Sequence, residues 1–112
     1  MKIYHNPRCS KSRQTLQLIQ EANKEIEIIE YLKTPPTFEE LKSLVKTLGI
    51  QPEQLLRKNE AIYKEQFKGK TYTDDQWIKI MIKNPKLIER PIVVEGNKAV
   101  LGRPPENVAK LL

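Results

Sequence analysis

Lys2-Ile3-Tyr4, the loop His5-Asn6-Pro7-Arg8-Cys9, the run from Ser10 to Ala22, and Ile26-Glu27-Ile28-Ile29-Glu30-Tyr31 decide the fold. The first piece is a short strand, ended by Asn6-Pro7. From Ser10 the pattern turns helical, with Thr15, Leu16, Ile19 and Ala22 on one face and Asn23 as the stop. The fourth piece is rich in β-branched residues and reads as a second strand. Strand, helix and strand so closely spaced make a βαβ unit, with parallel strands and a right-handed crossover.

Beyond that unit, Thr34-Pro35-Pro36 breaks the chain. Thr37 opens a capping box with Glu40, ahead of Phe38, Leu41, Leu44, Val45 and Leu48 at helical spacing, and Gly49 closes that helix. A short helix starts at Pro52 and reaches Leu55-Leu56, and another spans Glu60 to Phe67. Thr73 and Gln76 form a second capping box, with Tyr72 and Trp77 as its hydrophobic staple. Trp77, Ile78, Met81 and Ile82 give that helix an apolar face until Asn84-Pro85. Ile92-Val93-Val94 is a strand, Gly96-Asn97 a two-residue hairpin turn, and Lys98 to Leu101 the return strand. Pro104-Pro105 starts a closing helix with Val108, Leu111 and Leu112 apolar. The order predicts one α/β domain over 1–112, with a four-stranded mixed sheet and a helical insertion at about 32–90 between the βαβ unit and the C-terminal hairpin and helix.

A chain of 112 residues with 38% hydrophobic and 30% charged residues has enough apolar material for one modest core. No apolar run approaches the ~20 residues of a membrane span, and the N-terminus lacks the apolar stretch of a signal peptide. Cys9 is the single cysteine and His5 the single histidine, which excludes an internal disulfide and argues against a metal site. The expected compartment is the reducing cytoplasm. The net charge is +6, but 15 of the 20 basic residues are lysines scattered among acids, the pattern of a solvated surface and not of a nucleic-acid stripe. The five arginines differ: Arg8 and Arg13 flank Cys9, while Arg57, Arg90 and Arg103 each stand in a distinctive local context. Arginine grips oxyanions with a planar fork that lysine lacks.

Cys9 follows a strand and precedes a helix, the edge of an open α/β sheet where ligands bind. Helix N-terminal N–H groups favour an anion there, and Arg8, Lys11 and Arg13 add positive charge. The nucleophilic form of cysteine is the thiolate, which such a setting favours. The loop is Cys-x-x-Ser, ending at Ser12, so a resolving thiol must come from another molecule.

With its cysteine loop His5-Asn6-Pro7-Arg8-Cys9-Ser10-Lys11-Ser12-Arg13, the chain resembles the glutaredoxin-coupled ArsC-type arsenate reductases. Leu55-Leu56-Arg57-Lys58-Asn59, Arg90-Pro91-Ile92-Val93-Val94 and Gly102-Arg103-Pro104 are similar, in order, to the segments carrying that family's three anion-binding arginines. Thr34-Pro35-Pro36-Thr37 and Thr73-Asp74-Asp75 are further family-like landmarks. The resemblance implies a thioredoxin-like fold and a cis Arg90-Pro91 peptide. It also implies a role in arsenic detoxification, with arsenate held by Arg57, Arg90 and Arg103 and attacked by Cys9. Glutathione is then the co-substrate, glutaredoxin the protein partner, and no cofactor is bound. His5, Ser12 and Arg13 are the residues placed to tune Cys9. Two alternatives stay open: a glutathione-dependent thiol enzyme of other specificity using the same cysteine, and an Spx-like regulator that shares this fold and binds RNA polymerase. The second typically carries Cys-x-x-Cys, against which Ser12 stands.

Overall fold

Three residues of β1 (Lys2–Tyr4) organise the sheet, because both of their edges are paired. The computed structural model describes residues 1–112. β1 pairs in parallel with β2 (Glu27–Ile29) and antiparallel with β3 (Ile92–Glu95), which pairs antiparallel with β4 (Lys98–Leu101). The order is β2-β1-β3-β4, the mixed four-stranded sheet of a thioredoxin-like fold. β2 is shorter than its β-branched run suggests, because β1 offers partners only from Lys2 to Tyr4. Gly96 takes φ 59° in the hairpin turn, as the Gly96-Asn97 signal requires.

The chain forms two compact units, one of residues 1–34 and 90–112, the other of residues 35–89. In the first, α1 (Ser10–Glu21) crosses from β1 to β2. Ile3 and Val93, neighbours across β1 and β3, are fully buried with Ile19 of α1 and Val108 of the closing helix. Each such side chain contributes about 1.5–3 kcal/mol by leaving water. The buried face of α1 is Ser12, Thr15 and Ile19, while Ala22 is exposed. The helix has already ended there, and Asn23 turns into the left-handed region at φ 57°.

The closing segment, Pro105–Leu111, is wound as a 3₁₀ helix and not as an α-helix. At three residues per turn, Pro105, Val108 and Leu111 share one edge. The first two are buried and Leu111 is partly so, whereas Leu112, which a 3.6-residue period puts on the same face, is exposed.

In the second unit, α2 (Phe38–Leu48) starts on the Thr37–Glu40 capping box and ends at Gly49 with φ 71°. A 3₁₀ turn at Pro52–Leu55 follows, then α3 (Ala61–Gln66) and α4 (Asp74–Lys83), the last begun by the Thr73–Gln76 box. Tyr72 and Trp77 meet edge to face across that box, with ring centroids 4.8 Å apart. A second 3₁₀ turn, Pro85–Leu87, lies where the sequence reading has only a stop. Leu41, Leu44, Val45, Leu55, Trp77, Ile78, Met81 and Leu87 are buried in this unit. Leu56 and Ile88 form an isolated antiparallel bridge, reinforced by Arg57 N–H to Leu87 O and Glu89 N–H to Leu55 O, each 2.8 Å. No helix is long and apolar enough to cross a membrane.

Candidate active site

The Cys9 loop is built from the backbone outward. His5 N–H donates to Ile29 O at 2.8 Å, carrying the β1–β2 pairing one residue past the strand. Cys9 N–H then donates to Asn6 O at 3.0 Å, closing a turn with Pro7 where its fixed φ suits it. Asn6 Oδ1 accepts from Arg8 N–H at 3.0 Å, a side-chain brace inside the same turn. Arg13 adds a third, its Nη1 donating to Pro7 O at 2.9 Å. Arg13 therefore holds the loop that presents Cys9.

Cys9 occupies the N-cap of α1 with extended backbone, and its side chain makes no cap bond. The first-turn N–H groups of any α-helix have no acceptor within the helix. In α2 and α4 those groups meet a threonine cap and two acids each, Glu39 and Glu40 or Asp74 and Asp75. The first turn of α1 has no acid. Cys9 is itself 7% exposed, more enclosed than its polar, charged sequence context suggests.

The same segment carries a buried polar pair. Ser12 is fully buried; its Oγ stands 2.6 Å from His5 Nδ1 and accepts from Asn6 N–H at 3.1 Å. Burial holds the His5 imidazole below its ordinary range, opposed by the Glu30 carboxylate and reinforced by the Arg13 guanidinium. His5 is thus a neutral imidazole at pH 7, and it meets Ser12 as a hydrogen-bond partner without a charge.

The C-terminal half of the unit supplies two arginines. Arg103 Nη2 stands 3.8 Å from Cys9 Sγ, within reach for a donor to sulfur, although 94 residues separate them. Its Nε donates to Arg90 O at 2.9 Å, so the two arginine segments are tied to each other. The peptide before Pro91 is cis, as expected, and so is the one before Pro104, which the sequence reading does not anticipate. Arg57 lies in the other unit, its Nη1 against the Glu60 carboxylate and its Nε 3.7 Å from Glu89 Oε1. No cluster of three His, Cys, Asp or Glu side chains is placed to hold a metal ion.

Two residues hold places in the site that the sequence reading does not give them: it has Thr15 only as part of a helix face and Gly102 only as a neighbour of Arg103. Thr15 is fully buried, donating to Lys11 O at 2.9 Å and reaching Gly102 O at 3.5 Å. Gly102 is packed so closely on Thr15 and Pro91 that no side chain fits. The available signal for it was a glycine immediately before Arg103 with no turn to require it.

This arrangement sets a cysteine sulfur beside a guanidinium donor at the acid-free start of a helix. The chain matches the family model described as ArsC family over residues 4–111. It is 46% identical to the uncharacterized protein YfgD of Escherichia coli (strain K12), an alignment covering 100% of this chain and 96% of that protein. It is also 46% identical to an arsenate reductase of Escherichia coli (strain K12), covering 98% of this chain and 79% of that relative. Among solved structures, arsenate reductase from Vibrio cholerae superposes with a TM-score of 0.94 at 46% identity, over 100% of this chain and 98% of that one.

Proposed function

The chain belongs to the ArsC family, and from that premise we propose that it reduces arsenate to arsenite through Cys9, in the cytoplasm, with glutathione and glutaredoxin as external reductants. The observation that carries the reading is the contact of Arg103 with the Cys9 sulfur at the acid-free start of α1. A thiolate approaching an oxyanion is repelled by it, and cations that keep their charge at every working pH offset that repulsion. Arg90 and Arg103 supply such charge from the C-terminal segments, and Arg57 is the third member of the proposed oxyanion set.

In the first step the Cys9 thiolate attacks arsenic. An S–As bond forms, an As–O bond breaks, and the oxygen departs as hydroxide and takes a proton to become water. Guanidinium groups and the α1 N–H groups stabilise the charge that shifts onto the remaining oxygens. A glutathione thiolate then attacks the Cys9 sulfur. An S–S bond forms, the S–As bond breaks with its electron pair left on arsenic, and pentavalent arsenic becomes trivalent. Glutaredoxin attacks the glutathione sulfur of the mixed disulfide and returns Cys9 as thiolate. The two electrons come from glutathione and glutaredoxin. The chain needs no second cysteine, in keeping with Ser12 at the Cys-x-x-Ser position.

The test is NADPH consumption in a coupled assay with arsenate, glutathione, glutaredoxin and glutathione reductase. Turnover that requires all components and disappears in Cys9→Ser supports the proposal. Full activity without glutaredoxin, or in Cys9→Ser, contradicts it.

A further inference from the structure

Gly102 is the one glycine of the chain whose missing side chain is demanded by space. A Cβ there falls 2.5 Å from Thr15 Oγ1, 2.7 Å from Pro91 Cγ and 3.1 Å from Thr15 Cγ2. No positive φ is involved, unlike Gly49, Gly69 and Gly96, around which a Cβ meets nothing. The colliding atoms belong to a fully buried threonine on α1 and to a proline ring, so neither swings aside as the tip of a long side chain does. Gly102 is further held by its N–H donating to Pro91 O at 2.9 Å and by Thr15 Oγ1 at 3.5 Å from its carbonyl oxygen. The next residue is Arg103, which reaches both Cys9 Sγ and Arg90 O.

We propose that Gly102 is a positioning residue: its bare Cα lets the Arg103 segment seat against Thr15 of α1 and Pro91, and that seating sets the guanidinium on the Cys9 sulfur. The inference rests on the reading of Cys9 and Arg103 as parts of one reacting site. To relieve a 2.5 Å approach the loop must withdraw by roughly 1 Å, since ordinary contacts lie at about 3.5–4.0 Å. At 3.8 Å the donor–sulfur contact has no such margin. Displacements of that size at a reacting centre cost about 10²-fold in rate.

The experiment compares Gly102→Ala, Arg103→Ala and the double variant in arsenate turnover and in the rate of Cys9 alkylation by iodoacetamide, followed by intact mass. Gly102→Ala is expected to lower kcat/KM about 10²-fold, with kcat reduced and not KM alone, and to change the alkylation rate in the same direction as Arg103→Ala. The double variant is expected to match Arg103→Ala in both readouts, because Gly102 acts through Arg103. Adding Thr15→Ala to Gly102→Ala opens the helix side of the overlap and is expected to restore at least about tenfold of the loss. Effects of Gly102→Ala and Arg103→Ala that simply add, or an unchanged Gly102→Ala enzyme, overturn the inference. Should Gly102→Ala not fold, Thr15→Val carries the test. It removes the hydroxyl at Gly102 O and is expected to lower kcat/KM about three- to tenfold with Arg103 present and not at all with Arg103→Ala. Equal losses in both backgrounds overturn it. If the unsubstituted protein does not turn over arsenate, the function proposed above fails, while the alkylation comparison still decides the role of Gly102.

Discussion

Ser12→Ala removes one oxygen from the protein and breaks two hydrogen bonds. Ser12 Oγ stands 2.6 Å from His5 Nδ1 and accepts Asn6 N–H at 3.1 Å, with the Ser12 side chain fully enclosed. A polar group left buried without a partner costs about 1–3 kcal/mol. The imidazole nitrogen is enclosed and stands at the upper part of that range. The amide of Asn6 is only part-buried and stands at the lower part, because water can reach it. The sum is about 2–4 kcal/mol, a large share of the 5–15 kcal/mol that holds a typical domain together. Urea unfolding followed by circular dichroism gives the loss as a fall in midpoint with an unchanged slope. Two comparisons make the assignment specific. Ser10→Ala, an exposed serine on the same helix, is expected to change stability by less than about 0.5 kcal/mol. Ser12→Ala introduced into His5→Phe is expected to cost less than it does alone, since the imidazole is no longer there to be stranded. A loss below about 0.5 kcal/mol for Ser12→Ala refutes the claim that this hydroxyl anchors the loop carrying Cys9.

His5 titrates lower in the folded protein than in the unfolded chain, with burial as the main cause, so the unfolded state binds more protons below pH ~6.5. Stability is expected to fall as the pH drops through that window until the folded imidazole itself protonates, and unfolding midpoints for the wild type against His5→Gln should show the slope only in the former. Arg57→Lys, Arg90→Lys and Arg103→Lys are each expected to reduce kcat/KM for arsenate by about 1–3 kcal/mol in transition-state terms while melting near the parent; three unchanged rates would leave the arginines as surface groups. Arsenate and sulfate should slow iodoacetamide modification of Cys9, and protection that survives Arg103→Ala would place the oxyanion elsewhere. Thr37→Ala removes the Glu40 N–H acceptor at 3.1 Å and is expected to cost about 1 kcal/mol in thermal unfolding, with no effect on Cys9 alkylation.

The elements were legible where one local rule decides them. Capping boxes at Thr37 and Thr73, the αL stop at Gly49 and the Gly96-Asn97 turn each carry their own geometry, and each stands where the residues call for it. Strand lengths were less legible, because β2 is cut to three residues by the length of β1, not by its own composition. The closing helix shows the same limit. Val108, Leu111 and Leu112 satisfy an α-helical face, and only the tight winding after Pro104-Pro105 moves Leu112 into solvent and Pro105 into the interior. Cys9 stood out as the lone thiol in a basic loop. The Arg103–Cys9 contact was not visible in the spacing of residues 94 positions apart, and it entered the sequence reading through family resemblance alone.

Arg57 and Arg103 illustrate what the structure adds to a motif. In sequence they are equivalent, each an arginine in a matched segment. In the fold the contacts that bear on each differ. The Arg103 guanidinium bonds a backbone carbonyl, a neutral acceptor, and turns Nη2 to the Cys9 sulfur. Arg57 stands against two carboxylates, Glu60 and Glu89, each partly shielded from solvent. An oxyanion that recruits Arg57 must compete with those acids. Charge that is already balanced by a neighbour offsets less of the repulsion between thiolate and substrate. For the proposed mechanism the three arginines therefore do not start alike: Arg103 reaches the Cys9 sulfur, Arg90 is tied to Arg103 through its own carbonyl, and Arg57 is engaged by Glu60 and Glu89.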